Sequence, residues 1–403
     1  IMSQDLNTFY TSYTSNINRD IDHGAGVVNY IITSDLTINV DVHLQNEGSR
    51  PQQIVINSGV TLTIDEGINL DLQNSTNKII INSGGTLVIN DNGGKITNGG
   101  EITNGGVIIA LSGTGTAGQI EDNGGTFTNN SLSLVKASNN FTFTGDQTLN
   151  SHFTIASGQT LTIGSTQELI IAGSKTLTNE GIIIKNSGGT LTTTGTLTNT
   201  SGLVLDKATN DFSLNTTLGT TSQTLNNNFT IASSETLIID SGETLTIAAS
   251  KTLTITSGET LTIASTGTLT STAGIVDNDG TISCSGTITS GSNFTGSSGL
   301  VSFASVANYD ASVASGQLGT TLGGNRTIAN YMGAGTTKVI MSADDLTTAA
   351  HTLTISANVT LEVASGRTLT IASTGTLTST AGTLDNDGII SCSGTITTSS
   401  NFT

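Results

Sequence analysis

A leucine stands at every eighth position through "SETLIIDSGETLTIAASKTLTITSGETLTIASTGTLTS", at Leu237, Leu245, Leu253, Leu261 and Leu269, with the next strand-facing residue two positions on. One such unit, a strand plus a turn, cannot bury its own Leu and Ile. Units therefore have to coil on one another until a continuous interior forms. Within each unit the alternation is period two, so Leu245 and Ile247 point to one face and Thr244 and Thr246 to the other. Thr, Ile and Val suit a pleated surface, and the intervening "AASK", "TSGE" and "ASTG" are small enough for tight corners. Helix is disfavoured throughout the repeats.

The same spacing recurs at Phe153, Leu161, Leu169 and Leu177, at Leu353, Leu361, Leu369 and Leu377, and at Ile54, Leu62 and Leu70. From Leu62 to Leu87 is 25 residues, close to three units. The expected fold is all-β, a parallel β-solenoid (β-helix) of roughly eight-residue strand-turn units with three strands per rung; a flattened two-strand rung is the alternative. Three strands per rung over residues 50–403 give roughly fourteen rungs, and a rod roughly 70 Å long at about 4.8 Å per rung.

Composition narrows the function classes. Aromatics are 4%, Trp is absent, Pro51 is the one proline and charged residues are 10%, so the chain has no thick core and its surface must be mainly Thr, Ser and Asn. A net charge of −18 argues against a phosphate-binding surface and so against nucleic acid as a partner. No apolar run approaches the roughly 18 residues of a membrane span, and no secretory leader is visible. The opening "IMSQDLN" reads as a processed or partial chain. Cys284 and Cys392 sit in near-identical strings 108 residues apart. At about 4.8 Å per rung they are expected roughly 20 Å apart, beyond disulfide reach. They read as small apolar fillers, with a bridge between molecules as the alternative.

Residues 1–50 do not follow the repeat. Leu6, Tyr10, Tyr13, Ile17 and Ile21 fall at helical spacing between Ser3 and Gly24, which predicts one amphipathic helix in an N-terminal cap or assembly segment. "KASNNFTFTGDQTLNSHFTIASGQTLTI" from Lys136 is echoed from Lys207, and "GSNFT" at Gly291 recurs as "SSNFT" at Ser399. These repeats divide the remainder into modules 51–140, 141–211, 212–293 and 294–403. The irregular insertion 300–346, with Tyr309, Tyr331 and Met332, reads as a lateral excursion or contact surface.

"NGGKITNGGEITNGGVIIA", "GTLTNTSG" and "LDNDGIISCSGTIT" resemble the "G-x-L-x-N-x-G-x-I" repeats of filamentous-haemagglutinin-like adhesins and autotransporter passenger domains. The resemblance covers most of residues 50–403. It implies a right-handed parallel β-helix, extracellular or at the cell surface, serving attachment or assembly. The sequence departs from those families where its unit is a strict octad.

Candidate chemistry is sparse. "GTGTAG" (Gly113, Gly115, Gly118) follows an apolar run, but turn and strand follow it rather than a helix, so it reads as a coil corner. His23, His43, His152 and His351 are scattered singly, unlike a metal site. Asp277 and Asp279 in "DNDG", repeated as Asp385 and Asp387, are the calcium candidates; solvated carboxylates on Asx-type turns are the plainer reading. Ten Asn-x-Ser/Thr sequons, including Asn140, Asn228, Asn293 and Asn401, are about the chance number for this composition and mark potential glycosylation sites.

Outward Thr pairs such as Thr252 with Thr254 and Thr260 with Thr262 resemble the arrays of ice-binding β-solenoids, but they are expected on every side, leaving none special. A polysaccharide-active enzyme needs carboxylates converging in a cleft, whereas these acids sit singly in turns. The sequence therefore points to a non-enzymatic surface fibre or filament subunit, with no cofactor other than calcium. Its expected partners are copies of itself head to tail, residues 1–50 completing the open rung of the next copy, and a cell-surface or glycan receptor.

Overall fold

Strand and turn alternate as the octads dictate. Thr244–Ile247, Thr252–Ile255 and Thr260–Ile263 are four-residue strands; their Leu and Ile are fully buried and their Thr half-buried on the opposite face. The corners between these strands need a residue in the left-handed region. "TSGE" supplies Gly258 (φ 91°), whereas "AASK" puts Ser250 there (φ 61°), a conformation that costs a side chain more than it costs glycine. The computed structural model describes residues 4–22, 26–113, 118–199, 201–271, 273–290, 294–313, 318–332, 334–398 and 402–403. The chain is a parallel β-solenoid in two units, Ile1–Thr200 and Ser201–Thr403.

Pairing registers settle the number of sides. Leu237 lies against Leu261, Leu245 against Leu269 and Leu353 against Leu377, so each of these strands hydrogen-bonds to the strand three units further on. The rung has three strands, and the two-strand alternative is excluded. The repeat leucines Leu237, Leu245, Leu253, Leu261, Leu269, Leu353, Leu361, Leu369 and Leu377 are all at most 1% exposed.

In the unit Ile1–Thr200 the first coil stacks Leu62 on Leu87, Leu70 on Ile96 and Ile79 on Ile102. Where a unit ends "T-N-G-G", the inward residue is Asn. Asn104 is wholly buried, accepts from Gly106 N at 3.1 Å and donates to Leu132 O at 2.8 Å. Its amide thus stands in for backbone partners at a corner. Gly106 is required there, because a Cβ would lie 2.2 Å from Gly85 O.

The predicted N-terminal helix is present but short. Helix α1 spans Leu6–Ser12, and the chain then forms the strand Ile17–Asp22, antiparallel to Val27–Ile32. Ile17 and Ile21 therefore lie on a strand. "INRDID" alternates apolar with polar residues, and pairing it covers an edge that a solenoid end otherwise leaves open. Ser3 and Gly24 fall outside the described residues. Leu6 and Phe9 are 1% exposed and join the first coil's core.

The chain reverses where "KASNNF" occurs. Leu132–Ala137 runs parallel to Val107–Leu111 and antiparallel to Asn140–Thr142, through a two-residue loop with Ser138 at φ 52°. On the first coil's inner face Leu87 is followed by Ile108 and Ser133. Leu132 and Leu134 point the other way, yet are 0% and 1% exposed. They line a second coil, which continues on that opposite face from Phe141 to Leu161 and Ile183. In the unit Ser201–Thr403, "KATNDF" makes the same hairpin between Leu203–Ala208 and Asp211–Leu214. In both hairpins the Lys ammonium lies over the Phe ring, Lys136 at 5.5 Å and Lys207 at 4.6 Å from the centroid.

After Leu300–Phe303 the coil is interrupted by helix α2 (Val306–Ser312), capped by Ser305, whose hydroxyl accepts from Asn308 N at 3.1 Å. The aromatic residues here are core rather than a contact surface. Tyr309 and Met332 are 3% and 5% exposed, and the Phe303 ring packs edge-on against Tyr309 and Tyr331, both at 5.4 Å. The interruption shifts the phase of the repeat. Thr281–Cys284 pairs with Thr260–Ile263 and Leu300–Phe303, whereas Ile389–Cys392 pairs with Thr368–Ile371 in a different sheet.

Candidate functional sites

The cysteines differ in character as well as position, because Phe303 of the next rung covers Cys284 whereas Cys392 lies on the last described strand of its sheet. Cys284 is wholly buried, and burial pushes its thiol up to about 12; Cys392 is exposed. Both are free thiols. Near-identical local sequence therefore gives one buried thiol and one accessible one.

The carboxylates of the two "DNDG" turns also part company. Asp277 follows Thr254 in register on one sheet, and Asp385 follows Glu362 on another. Asp277 Oδ1 accepts from Thr295 Oγ1 at 2.8 Å, and Asp279 Oδ1 accepts from Ser297 N at 2.9 Å and Ser298 Oγ at 3.3 Å. The residue between them, Asn278, points inward and is wholly buried, so the carboxylates are held on the outer side by hydroxyl and amide donors. Asp385 accepts from Thr403 Oγ1 at 3.4 Å. Among the described residues no three His, Cys, Asp or Glu side chains converge on one point.

The other candidates fall on separate elements. His43 lies on Val42–Leu44, while His152 and His351 immediately precede Phe153–Ile155 and Thr352–Ile355; His23 lies outside the described residues. Gly118 leads into the strand Gln119–Asp122, which denies the glycine motif the helix that phosphate binding requires; Gly115 lies outside the described residues. Asn140 is half-buried and takes a hydrogen bond from Thr162 Oγ1 at 3.0 Å. Asn228 is exposed and accepts from Thr252 N at 3.0 Å. Asn293 and Asn401 lie outside the described residues.

The threonine pairs are not evenly spread. On one sheet of the unit Ser201–Thr403, Ser222 and Thr224 are followed in register by Thr244 and Thr246, Thr268 and Thr270, and Thr287 and Thr289. Neighbouring faces break the pattern: Thr252 and Thr254 meet Ile275 and Asp277, and Thr262 meets Ile238. The expectation that no side is special is thus corrected. The signal was the sum of unit lengths, which returns one phase of the octad to one side at each rung.

A feature the sequence reading missed is a cavity of about 350 Å³ in the unit Ile1–Thr200, lined by Ile89, Ile108, Ala110, Ile120 and Phe127 among others. It is the inner space of the first coil, opened where that coil stops. Its sequence signal is faint: "QIEDNGGTFTNN" departs from the Leu/Ile octad.

No protein-family model matches the chain, and no curated protein matches it. Among solved structures, a TibC-catalyzed hyper-glycosylated TibA55-350 fragment aligns over 99% of this chain and 97% of that one, at 13% identity and a TM-score of 0.16. A superposition at that score transfers neither fold nor activity. No helix among the described residues is long and apolar enough to cross a membrane.

Proposed function

We propose that this chain is a non-enzymatic, extracellular or cell-surface structural protein, an adhesin-like fibre or filament subunit that associates with copies of itself and attaches to a surface or glycan receptor. The observation that carries the reading is rung-on-rung identity. Thr244–Ile247 stacks on Thr268–Ser271 with Thr against Thr and Leu against Leu, so each rung presents the edge that another like rung needs. Neutral hydroxyl faces and a net charge of −18 suit a soluble assembly rather than a nucleic-acid binder. Negative-stain electron microscopy of the purified chain tests it. Filaments many subunits long are expected; monodisperse single particles at every concentration refute the assembly.

The threonine register favours a second reading, an ice-binding face. Four rungs about 4.8 Å apart, with paired hydroxyls about 6.6 Å apart along each strand, make a neutral grid on a dry backing. Thermal hysteresis lost on Thr246→Tyr and Thr270→Tyr, and kept on Thr254→Tyr, supports it; its absence in the unaltered chain removes it.

A further inference from the structure

Among the described residues, the first coil ends with two strand edges unused. Its sheets stop at Gln119–Asp122 and Thr126–Asn129, each hydrogen-bonded to a described strand on one side only. The third strand of that rung, Val107–Leu111, does receive a successor, Leu132–Ala137, but this then turns into the second coil on the opposite face. Gln119 N and Asn123 N donate inward to Gly94 O and Asn98 O, and Thr126 N and Asn130 N to Gly100 O and Asn104 O. By the alternation of a parallel ladder, the amides and carbonyls of Ile120, Asp122, Phe127 and Asn129 are directed at the vacated side.

Beneath these edges the interior is open. One rung lower Ile96, Ile102 and Leu87 are wholly buried, whereas Phe127, stacked on Ile102, is 43% exposed and Ile120, stacked on Ile96, is only half-buried. Between them lies the cavity of about 350 Å³. Two backbone edges meeting at a corner over an apolar slot are what every other rung offers to its successor.

We propose that this end of the first coil binds an extended peptide by strand addition, the occupant being a two-strand octad segment of the "x-T-L-T-I" kind. Alternate aliphatic side chains enter the slot over Ile120 and Phe127, and the backbone takes up the free edge. The rim sets the charge. Glu121 is already held by Lys95 at 2.9 Å and Gln119 at 2.7 Å, which leaves exposed Asp122 to favour a neutral or basic segment. This inference stands independently of the fibre reading, and filament formation does not enter its test.

The test uses the full chain and a fluorescein-labelled synthetic peptide with the sequence of residues 251–263, KTLTITSGETLTI, followed by fluorescence anisotropy. Saturable binding is expected, weakened at least about tenfold by Phe127→Asp. That side chain is already 43% exposed and has no described rung beyond it, so the variant is expected to fold, which circular dichroism checks. A second peptide with Pro in place of Thr254 keeps every aliphatic side chain for the slot but lacks an N–H that the edge carbonyl would accept, and is expected not to bind. No binding of the first peptide, or equal binding by the Phe127→Asp chain or by the Pro peptide, overturns the proposal. So does Nile red that fills the cavity and is not displaced by the peptide, since that identifies a pocket for small apolar molecules instead.

Discussion

Leu261→Ala probes whether the interior is a solid stack. Leu261 lies in register between Leu237 and Ile282, with Leu253 and Leu269 on the adjoining strands, and all five are 0% exposed. Three carbons leave a site that water does not reach, which forfeits about 2.4 kcal/mol at about 0.8 kcal/mol per buried methylene. The walls have little freedom to collapse, because ladder hydrogen bonds hold the rungs about 4.8 Å apart. The residual cavity therefore raises the total to about 3–4 kcal/mol, within the span of buried Leu→Ala changes. Phe127→Ala is the control, a larger truncation at a 43% exposed site with no rung beyond it, and is expected to cost less than about 1.5 kcal/mol. Solenoids need not unfold in one step, so native-state hydrogen exchange of the Thr236–Ile263 amides, alongside urea unfolding, is the measurement. A cost below about 1 kcal/mol for Leu261→Ala, or equal costs for the two variants, refutes a continuously packed interior.

A thiol reagent at neutral pH should modify Cys392 alone, with Cys284 reacting only after denaturation; two equivalents in the native state would contradict the burial that raises Cys284 to about 12. Glu243, 7% exposed, has its carboxyl raised chiefly by burial, with a further upward push from Asp240. The folded state thus holds that proton more tightly than the unfolded one, so its contribution is fully present below the ordinary carboxylate range and is lost as the pH rises through the raised value. Glu243→Gln, which keeps an oxygen to accept from Asp240 N, should flatten that dependence and leave the chain as stable or more stable at pH 7. Unfolding temperatures should agree between calcium and chelator, because the oxygens of Asp277 and Asp279 already accept from Thr295, Ser297 and Ser298. A rise with calcium would support calcium at these turns.

Periodicity made most of the fold legible, because one period recurs in the chain and only one geometry satisfies it. Leucines eight apart needed a strand-turn unit, and 25 residues from Leu62 to Leu87 matched the register later seen between them. Legibility failed where a second signal competed with the first. Leu6 to Ile21 reads as helix by spacing, yet from Ile17 the alternation of "INRDID" prevails because the neighbouring strand offers an edge to pair. At Tyr309 and Met332, large side chains within an irregular loop looked like surface. Tyr309, on helix α2, instead packs edge-on against Phe303, and the Met332 sulfur lies 3.4 Å from Asn278 Nδ2. The threonine face was hidden for a different reason: which side a residue takes depends on the summed length of the three preceding units, and a phase error in any one moves every later residue.

The hairpins have a cause that joins handedness to composition. Parallel strands joined by a crossover wind right-handed in nearly all proteins. If strand direction reverses while stacking continues the same way, the winding would invert unless the interior passes to the sheet's other face. The strand at such a switch must then be apolar on both faces, and period two gives way to a continuous run, as in sheets covered on both sides. "LSLV" before Lys136 meets this in part, with Leu132 and Leu134 buried on one face and Val135, beside the hydroxyl of Ser133, half-buried on the other. "LVL" before Lys207 does the same, with Leu203, Val204 and Leu205 at most 1% exposed. A Leu-rich strand ending in Lys-Ala, then a two-residue loop, one polar residue and Phe therefore marks a change of face in both places. Through that change, the first coil is left with an end over Ile120 and Phe127 that no described strand covers.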